Sequence, residues 1–332
     1  MGNQSKARII SMGSYLPKKV LTNKDFEKMI DTSDEWIVSR TGIKERRIAA
    51  ADEYTSDMGT AAAKAALENA GLKATDIELI LVATMTPDYI SSSTAAMIQH
   101  QIGATHAGAF DLQAACTGFL YALATAKAYI ESKMYKRILV VASERMSTYV
   151  NYKERGTSIL FGDGAAAVVI TDSGAGLAID NVCLGSDGEL VKLVIVPGGG
   201  VRHPASHESV DAGLHYFHME GKEVFKHAVR RMSAAAKESL AKAGLGEEDV
   251  NWLVPHQANM RIMDAIAKGF NIPYEKMYKT VHKYGNTSAS SVAIALEELS
   301  KEHKIKEGEN ILLVAFGAGL TWGASVLTQV NS

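Results

Sequence analysis

Three residues whose types and positions favour chemistry are Cys116, His256 and Asn286. Cys116 lies where a loop enters a long apolar helix, and a helix N-terminus lowers the pKa of a thiol and makes it a nucleophile. His256 follows the apolar run 252–254 at the carboxyl end of a predicted strand, where open α/β sheets bind ligands. Asn286 precedes a second long apolar helix. We therefore expect the three side chains to converge on one site.

Each of these residues also has an ordinary structural interpretation. A single cysteine is most often a small buried apolar side chain, which is how we interpret Cys183 in the strand-like run 180–184. A histidine such as His256 can be a satisfied core residue, and an asparagine such as Asn286 is typical of a turn or a helix N-cap. Only the combination of the three favours a catalytic interpretation.

Two further patterns are weaker. The glycine-rich run 316–323 resembles a phosphate loop, but it lacks the glycine spacing of a dinucleotide site, and a strand follows it. Backbone amides in such a run can approach a substrate and act as oxyanion donors. The stretch 203–218 contains four histidines and no cysteine, and we predict a solvated loop there instead of a metal site; the histidines are His203, His207, His215 and His218.

An internal repeat predicts the elements that must position these residues. The tripeptide Ala70-Gly71-Leu72 recurs 173 residues later, beginning at residue 243. An apolar run follows each copy, at 79–82 and at 252–254. The runs 138–142 and 311–315 match at the same offset, which indicates a duplication. This offset aligns Cys116 with Ala289, three residues after Asn286. The nucleophile and the asparagine are therefore predicted at equivalent helix N-termini.

Each half of the chain alternates alanine-rich helical stretches with short apolar runs typical of strands buried on both faces. Helices are predicted over 57–70, 117–131, 219–243, 259–268 and 288–303. We predict an α/β protein of two similar halves, 1–174 and 175–332, joined near 172–176. The halves are expected to pack around a shared helical layer.

The composition fits an ordinary globular enzyme. The chain has 332 residues, 47% hydrophobic and 22% charged, with a formal net charge of −2. This balance excludes a disordered chain, a collagen or a coiled coil, and it argues against an extended nucleic-acid surface. Two cysteines cannot form a disulfide framework, and residues 1–6 lack the apolar core of a signal peptide, so we expect a cytoplasmic protein. No apolar run approaches the roughly 18 residues of a membrane span.

Seven motifs, in order along the chain, resemble the β-ketoacyl-acyl-carrier-protein synthase III enzymes of fatty-acid synthesis, which belong to the thiolase superfamily. The motifs occupy 31–37, 40–43, 114–119, 161–165, 255–259, 284–288 and 316–319. The resemblance implies a thiolase-like five-layered αβαβα fold and a homodimer. It implies no metal and no cofactor, because acyl-CoA is a substrate.

The resemblance also implies roles for individual residues. Cys116 matches the acylated nucleophile, and His256 and Asn286 match the pair that stabilises the decarboxylating malonyl thioester. The backbone N–H groups of Cys116 and Ala318 match the oxyanion hole. Phe316 matches the residue that presses on the malonyl carboxylate.

Other residues match contacts of coenzyme A. Trp36 and Arg155 resemble the pair that sandwiches its adenine. Thr32, Arg40 and Asn259 resemble its remaining contacts.

Two further expectations concern the carrier protein and the primer. Lys226, Arg261 and Lys268 lie on predicted helices flanking His256, where family members bind the acidic acyl-carrier protein. Ser91 stands where many members have phenylalanine at the wall of the primer pocket. The smaller side chain predicts a primer range wider than acetyl.

The implied reaction is a decarboxylative Claisen condensation of a short acyl-CoA with malonyl-acyl-carrier protein. It proceeds through an acyl-cysteine and yields 3-oxoacyl-carrier protein, CoA and CO₂. A non-condensing acyl-cysteine acyltransferase or thioesterase could use the same three residues, and malonyl-dependent release of CO₂ separates the two. A non-catalytic acyl-binding scaffold is a more distant alternative, because none of the residues needed for chemistry is missing.

Overall fold

The computed structural model describes residues 6–331. The strands are β1 Arg8–Tyr15, β2 Lys19–Thr22, β3 Glu45–Ile48, β4 Leu79–Ala83, β5 Gly108–Leu112, β6 Arg137–Arg145, β7 Asp163–Thr171, β8 Gly176–Ser186, β9 Val194–Ile195, β10 His218–Met219, β11 Val250–Pro255, β12 Asn310–Gly317 and β13 Thr321–Val330. The helices are α1 Asn23–Glu27, α2 Asp34–Thr41, α3 Thr55–Ala70, α4 Thr94–Ile102, α5 Gly118–Glu131, α6 Arg155–Ser158, α7 His207–Asp211, α8 Gly221–Ala243, α9 Met260–Gly269, α10 Val281–Tyr284 and α11 Ser290–Glu302. The prediction about a signal peptide concerns residues that, Lys6 apart, lie outside this range.

Nine strands form one hydrogen-bonded sheet in the order β11-β12-β13-β8-β1-β7-β6-β4-β5. The half of the sheet that ends at β8 and the half that begins at β1 repeat the same pattern of strand directions. The parallel pair β4·β6 continues antiparallel through β7 to β1, as the parallel pair β11·β12 does through β13 to β8. The sides meet at β1 and β8, which pair through only two residue pairs. This matching connectivity is the structural form of the sequence repeat.

Each side of the sheet forms a layer of its own, so that one central and two outer cores lie among five layers, and alternate strand residues face different cores. Ile80 and Val82 of β4 pack with residues of α3 and α4 in one outer core, whereas Leu79 and Leu81 face the central core with α5 and α11. On the other side, Leu312 of β12 packs with α8 and α9 in the second outer core. The order of layers is therefore α3/α4, sheet, α5/α11, sheet, α8/α9, which confirms the predicted αβαβα arrangement.

The five helices predicted from the sequence are confirmed, with ends within two residues of the expected ones. The repeat extends to their caps: α3 ends at Gly71 (φ 65°) and α8 at Gly244 (φ 73°). Glycine suits both positions because a left-handed C-cap is strained for other residues. The loop between β7 and β8 spans the predicted junction, although the division into 1–174 and 175–332 stays a prediction. Among residues 6–331, no helix has the length and apolar character needed to cross a bilayer.

Candidate active site

Cys116 lies in a 3₁₀ turn, Ala115–Thr117, that leads directly into the central helix α5. The preceding residue, Ala115, has φ 46°, a left-handed conformation that costs energy for any residue with a Cβ and that is often found at functional sites. Gly317, at the end of β12, packs against the turn so closely that a Cβ would lie 2.8 Å from the Cys116 nitrogen. The nucleophile is thus held between α5 and the glycine-rich loop.

His256 follows β11, and its backbone N–H continues the parallel ladder by donating to Val314 O at 2.7 Å. Its Nδ1 lies 2.6 Å from Ser291 Oγ in α11. That oxygen also accepts a hydrogen bond from the backbone N–H of Gln257 at 3.4 Å. We assign the serine hydroxyl as the donor to Nδ1, the arrangement that places the proton of the neutral imidazole on Nε2.

Asn286 is held by backbone hydrogen bonds on both sides. Its N–H donates to Leu160 O at 2.8 Å, and its carbonyl accepts from Gly162 N at 3.1 Å. The side-chain Oδ1 accepts from the backbone N–H of Ser288 at 2.8 Å. Because this contact occupies the carbonyl end of the amide, the Nδ2 end is the one oriented to donate.

One narrow cavity of about 60 Å³ joins these side chains. Cys116, His256, Asn286, Phe316 and Ala318 all line it. The predicted convergence of the nucleophile, the histidine and the asparagine is therefore present, together with the residues expected at the oxyanion hole and beside the malonyl carboxylate. Cys116 lies in the turn before α5, His256 directly after β11, and Asn286 in the segment between α10 and α11.

Burial controls the charge state of both titratable groups in the cavity. It lowers the pKa of His256 to about 3, so the imidazole is neutral at physiological pH. Burial also raises the pKa of the Cys116 thiol to about 12; a hydrogen bond to Ser288 opposes the rise, and the charge of Glu144 adds to it. The expectation that the helix N-terminus keeps the thiol ionised is thus wrong, because desolvation of the thiolate outweighs that local effect.

Sequence reasoning missed the polar residues behind the cavity. Glu144, at the end of β6, is fully buried and accepts hydrogen bonds from Ser288 Oγ at 3.0 Å and Thr86 Oγ1 at 2.6 Å. Burial raises the pKa of its carboxyl group to about 7. The one sequence signal is a carboxylate two residues after the apolar run 138–142.

Two of the residues expected to contact coenzyme A line a groove that adjoins the cavity, and two others stack on each other. The Arg155 guanidinium carbon sits 4.4 Å from the Trp36 ring centroid, so these two side chains stack directly on each other. Arg40 and Asn259 line a groove of about 630 Å³ that shares Asn259 with the cavity. Thr32 Oγ1 is buried and has no hydrogen-bond partner within residues 6–331, and its contact with coenzyme A stays a prediction.

Two of the three cations expected to dock the carrier protein line the same groove. Lys226 and Arg261 are exposed there; Lys226 pairs with Glu223 at 2.7 Å, and Arg261 lies over the Phe225 ring. Lys268 is exposed in the last turn of α9, seven positions after Arg261 and so on the same side of the helix.

Ser91 lies outside the cavity of its own chain, and its role at the wall of the primer pocket stays a prediction. It is exposed in the loop between β4 and α4, beside Tyr89 and Ile90, which are 60% and 93% exposed. The loop carries Ser91 to the surface, so it does not line the cavity of its own chain. A wider cavity of about 420 Å³, which shares Val194, Phe217 and Ala318 with the first, has instead Val191 and Val196 among its walls.

The remaining predictions concern Cys183 and the histidine-rich stretch. Cys183 is buried in β8, next to Asn181, which agrees with a structural role. In the stretch 203–218, His203, His207 and His218 are exposed. Within the described residues, no group of three or more His, Cys, Asp or Glu side chains is arranged to hold a metal ion.

Two family profiles match the chain: 3-oxoacyl-[acyl-carrier-protein] synthase III over residues 110–188, and the C-terminal region of the same synthase over residues 240–329. The chain is 58% identical over 327 residues to beta-ketoacyl-[acyl-carrier-protein] synthase III of Chlamydia caviae, covering 98% of each chain. It belongs to the β-ketoacyl-acyl-carrier-protein synthase III family. The family confirms the resemblance seen in the seven motifs, and the protein is a condensing enzyme, an acyltransferase that initiates fatty-acid synthesis.

Further relatives agree. The synthase III of Chlamydia pneumoniae is 56% identical over 331 residues, covering 99% of each chain. The solved structure of 3-oxoacyl-[acyl-carrier-protein] synthase III from Aquifex aeolicus has a TM-score of 0.89 and 47% identity, covering 97% of this synthase and 99% of the other. The corresponding structure from Thermus thermophilus has a TM-score of 0.90 and 43% identity, with coverages of 98% and 100%. These matches extend the family assignment to the whole fold.

Proposed function

We propose that this synthase condenses a short acyl-CoA primer with malonyl-acyl-carrier protein and releases CoA and CO₂. The observation that carries the proposal is the common cavity of Cys116, His256 and Asn286, in which one nucleophile faces two neutral hydrogen-bond donors. A thioesterase needs a site for an attacking water, whereas two donors aimed at one position suit an enolate oxygen.

In the first half-reaction, the Cys116 sulfur attacks the acyl-CoA carbonyl. The new S–C bond replaces the bond to the CoA sulfur, and CoA leaves as its thiol. The exchange of one thioester for another is nearly isoenergetic, so it is reversible and needs no added energy source. In the tetrahedral intermediate, the backbone N–H groups of Cys116 and Ala318 hold the oxyanion.

In the second half-reaction, the malonyl C–C bond breaks, CO₂ leaves, and the electron pair becomes an enolate on the thioester. His256 Nε2–H and Asn286 Nδ2–H donate to the enolate oxygen, and in a dry cavity each is worth roughly 3–4 kcal/mol of barrier. The Phe316 ring presses on the carboxylate and favours its loss as neutral CO₂. The enolate carbon then attacks the acyl group on Cys116, and the cysteine sulfur leaves.

The surroundings of the cavity support the same assignment of substrates. Trp36 and Arg155 would take the adenine of CoA between them, and Thr32, Arg40 and Asn259 would contact the rest. Lys226, Arg261 and Lys268 would receive the acidic carrier protein. Every step uses groups of this chain and its two substrates, so the proposal includes no metal and no further cofactor.

The proposal extends to assembly and location. Within residues 6–331, strand β5 is the last strand of the sheet and pairs only with β4, and it exposes Phe110, which is 38% accessible. An unpaired edge with an apolar side chain is a surface that a second copy can cover. We therefore propose a homodimer that pairs through β5, working in the cytoplasm, where its two thiols stay reduced.

Two assays on three variants test the division of labour. Cys116→Ala should abolish the mass shift after acyl-CoA and still release CO₂ slowly from malonyl carrier. Asn286→Ala should form the acyl-enzyme but lose about 10²–10³-fold in CO₂ release, and His256→Ala should lose as much. If Asn286→Ala blocks acylation as fully as Cys116→Ala does, the assignment fails. An acyl-enzyme without malonyl-dependent CO₂ would indicate a non-condensing acyltransferase.

A further inference from the structure

The mechanism above leaves the thiol proton of Cys116 without an acceptor. The thiol is buried with a raised pKa, and His256 is committed as a donor to the enolate. The only side-chain hydrogen bond of the thiol within the described residues is to Ser288 Oγ, at 3.5 Å. An acceptor must therefore be reached through Ser288.

The direction of this hydrogen-bond chain follows from its last member. Ser288 Oγ lies 3.0 Å from Glu144 Oε1, and an ionised carboxylate only accepts. The serine proton therefore goes to Glu144, and the serine oxygen is left to accept from the Cys116 thiol. Ser288 is fixed in this position because its own N–H donates to Asn286 Oδ1 and its φ is 52°.

The environment of Glu144 suits a group that takes up and returns a proton. The carboxylate has no cation partner within the described residues, and it is held by neutral donors from the loop after β4: Thr84 Oγ1, Thr86 Oγ1 and the backbone N–H groups of Met85 and Thr86. Burial disfavours its charge and these donors favour it, which leaves a pKa near neutrality. The titratable groups facing it are Cys116 and Tyr149.

We infer that Glu144 is the proton reservoir of this active site, charged and discharged through the Ser288 hydroxyl. This inference rests on the proposed function, and it gives the Cys116 proton a path in each half-reaction. During acylation the Cys116 proton passes to Ser288 as the serine proton passes to Glu144; the departing CoA thiolate takes its proton from solvent. During condensation the Cys116 thiolate leaves the tetrahedral intermediate and recovers its proton from Glu144 by the reverse path. One solvent proton is consumed per turnover, as the overall reaction requires.

Alkylation of Cys116 by iodoacetamide tests this path without either substrate. The rate constant should be measured by intact mass from about pH 5 to pH 9. The wild-type profile should rise through an inflection near the carboxyl pKa of about 7. Glu144→Gln should remove that inflection and slow alkylation at neutral pH by about 10²-fold. Ser288→Ala, which leaves the carboxylate in place, should do the same, and the double variant should lose no more than either single one.

Either of two results would contradict a proton path through Ser288 to Glu144. If Glu144 acted only as a buried negative charge that disfavours the thiolate, Glu144→Gln would speed alkylation at neutral pH, and the inference would be overturned. Unaltered profiles in Ser288→Ala would overturn it as well. Ser290→Ala is the matched control, because that buried hydroxyl donates to Thr287 O and lies outside the path. Since no acyl-CoA or malonyl carrier is used, these outcomes are independent of whether the proposed condensation is correct.

Discussion

His256 and Asn286 reach the cavity as neutral donors, and the structure gives each a separate means of orientation. The imidazole is oriented by a hydroxyl at Nδ1, and the amide by a backbone N–H at Oδ1. Neither donor depends on a charge that burial would make costly. In the proposed mechanism, two such fixed dipoles stabilise the enolate without any reorganisation when the negative charge appears.

At the residue scale, Ser291 should matter for decarboxylation alone. In Ser291→Ala, the Nδ1 atom of His256 loses the hydroxyl that donates to it. The imidazole proton can then move from Nε2 to Nδ1, so a fraction of the molecules no longer has Nε2–H as a donor. We expect CO₂ release at saturating malonyl carrier to fall about 10-fold, with acylation unchanged. Ser300→Ala is the control, because it also removes a hydroxyl from α11, but that hydroxyl donates to a backbone carbonyl. Equal loss in both half-reactions would contradict this role.

The pH dependence of decarboxylation should show no titration of His256. Its pKa of about 3 means that the neutral, donating ring is fully present above about pH 5 and is lost only as the pH falls toward 3. In the Cys116→Ala background, which removes the thiol from the profile, CO₂ release should stay level between about pH 5 and pH 8. An inflection near the ordinary histidine pKa of about 6.5 would show that the ring is charged in use.

At the scale of elements, the close contact between the end of β12 and the turn before α5 is expected to set the proposed oxyanion hole. A Cβ on Gly317 would lie 2.8 Å from Cys116 N and 3.1 Å from Thr117 N, and backbone atoms cannot move aside cheaply. Gly317→Ala should therefore separate the two amides and lower kcat for both half-reactions by about 10²-fold. Gly188→Ala, where a Cβ meets nothing within 4 Å, should leave kcat unchanged. Normal acylation by Gly317→Ala would exclude this geometry.

The groove between α8 and α9 should distinguish the two substrates. Arg261→Glu places a negative charge where the acidic carrier protein is proposed to bind. We expect KM for malonyl carrier to rise about 10-fold at low salt and less at high salt, with acyl-CoA priming nearly intact. Lys242→Glu, an exposed cation at the far end of α8, is the matched control. Equal damage to priming would mean that Arg261 serves CoA instead.

Structural features whose causes lie close together in the sequence can be predicted from it, whereas features that depend on the whole fold cannot. The layers and the common cavity of the cysteine, histidine and asparagine could be predicted, because the repeat, the apolar runs and the types of Cys116 and Asn286 are all readable along the chain. The pair Glu144 and Ser288 could not, because its members are separated by 144 residues and neither has a local signature. The ionisation of Cys116 was misjudged for the same reason: the helix N-terminus is local, whereas burial depends on the whole fold.

At the scale of the whole molecule, the exposed edge strand should control assembly. Phe110→Asp puts a charge on β5, where pairing with a second copy would have to bury it. We expect this variant to sediment as a monomer at micromolar concentration, and the wild type to sediment as the proposed dimer. Val201→Asp, at a fully exposed position outside the edge, is the control and should stay dimeric. A dimeric Phe110→Asp variant would place the interface elsewhere.

The stacking of Arg155 on Trp36 carries a consequence for turnover. A planar base that enters between these side chains must first part them and give up a cation–π contact worth roughly 0.5–1 kcal/mol at an exposed site. In the proposed binding mode, the same contact re-forms when the nucleotide of coenzyme A leaves, so it competes with the bound product. We therefore expect it to weaken the retention of free coenzyme A and to reduce product inhibition before the malonyl carrier binds.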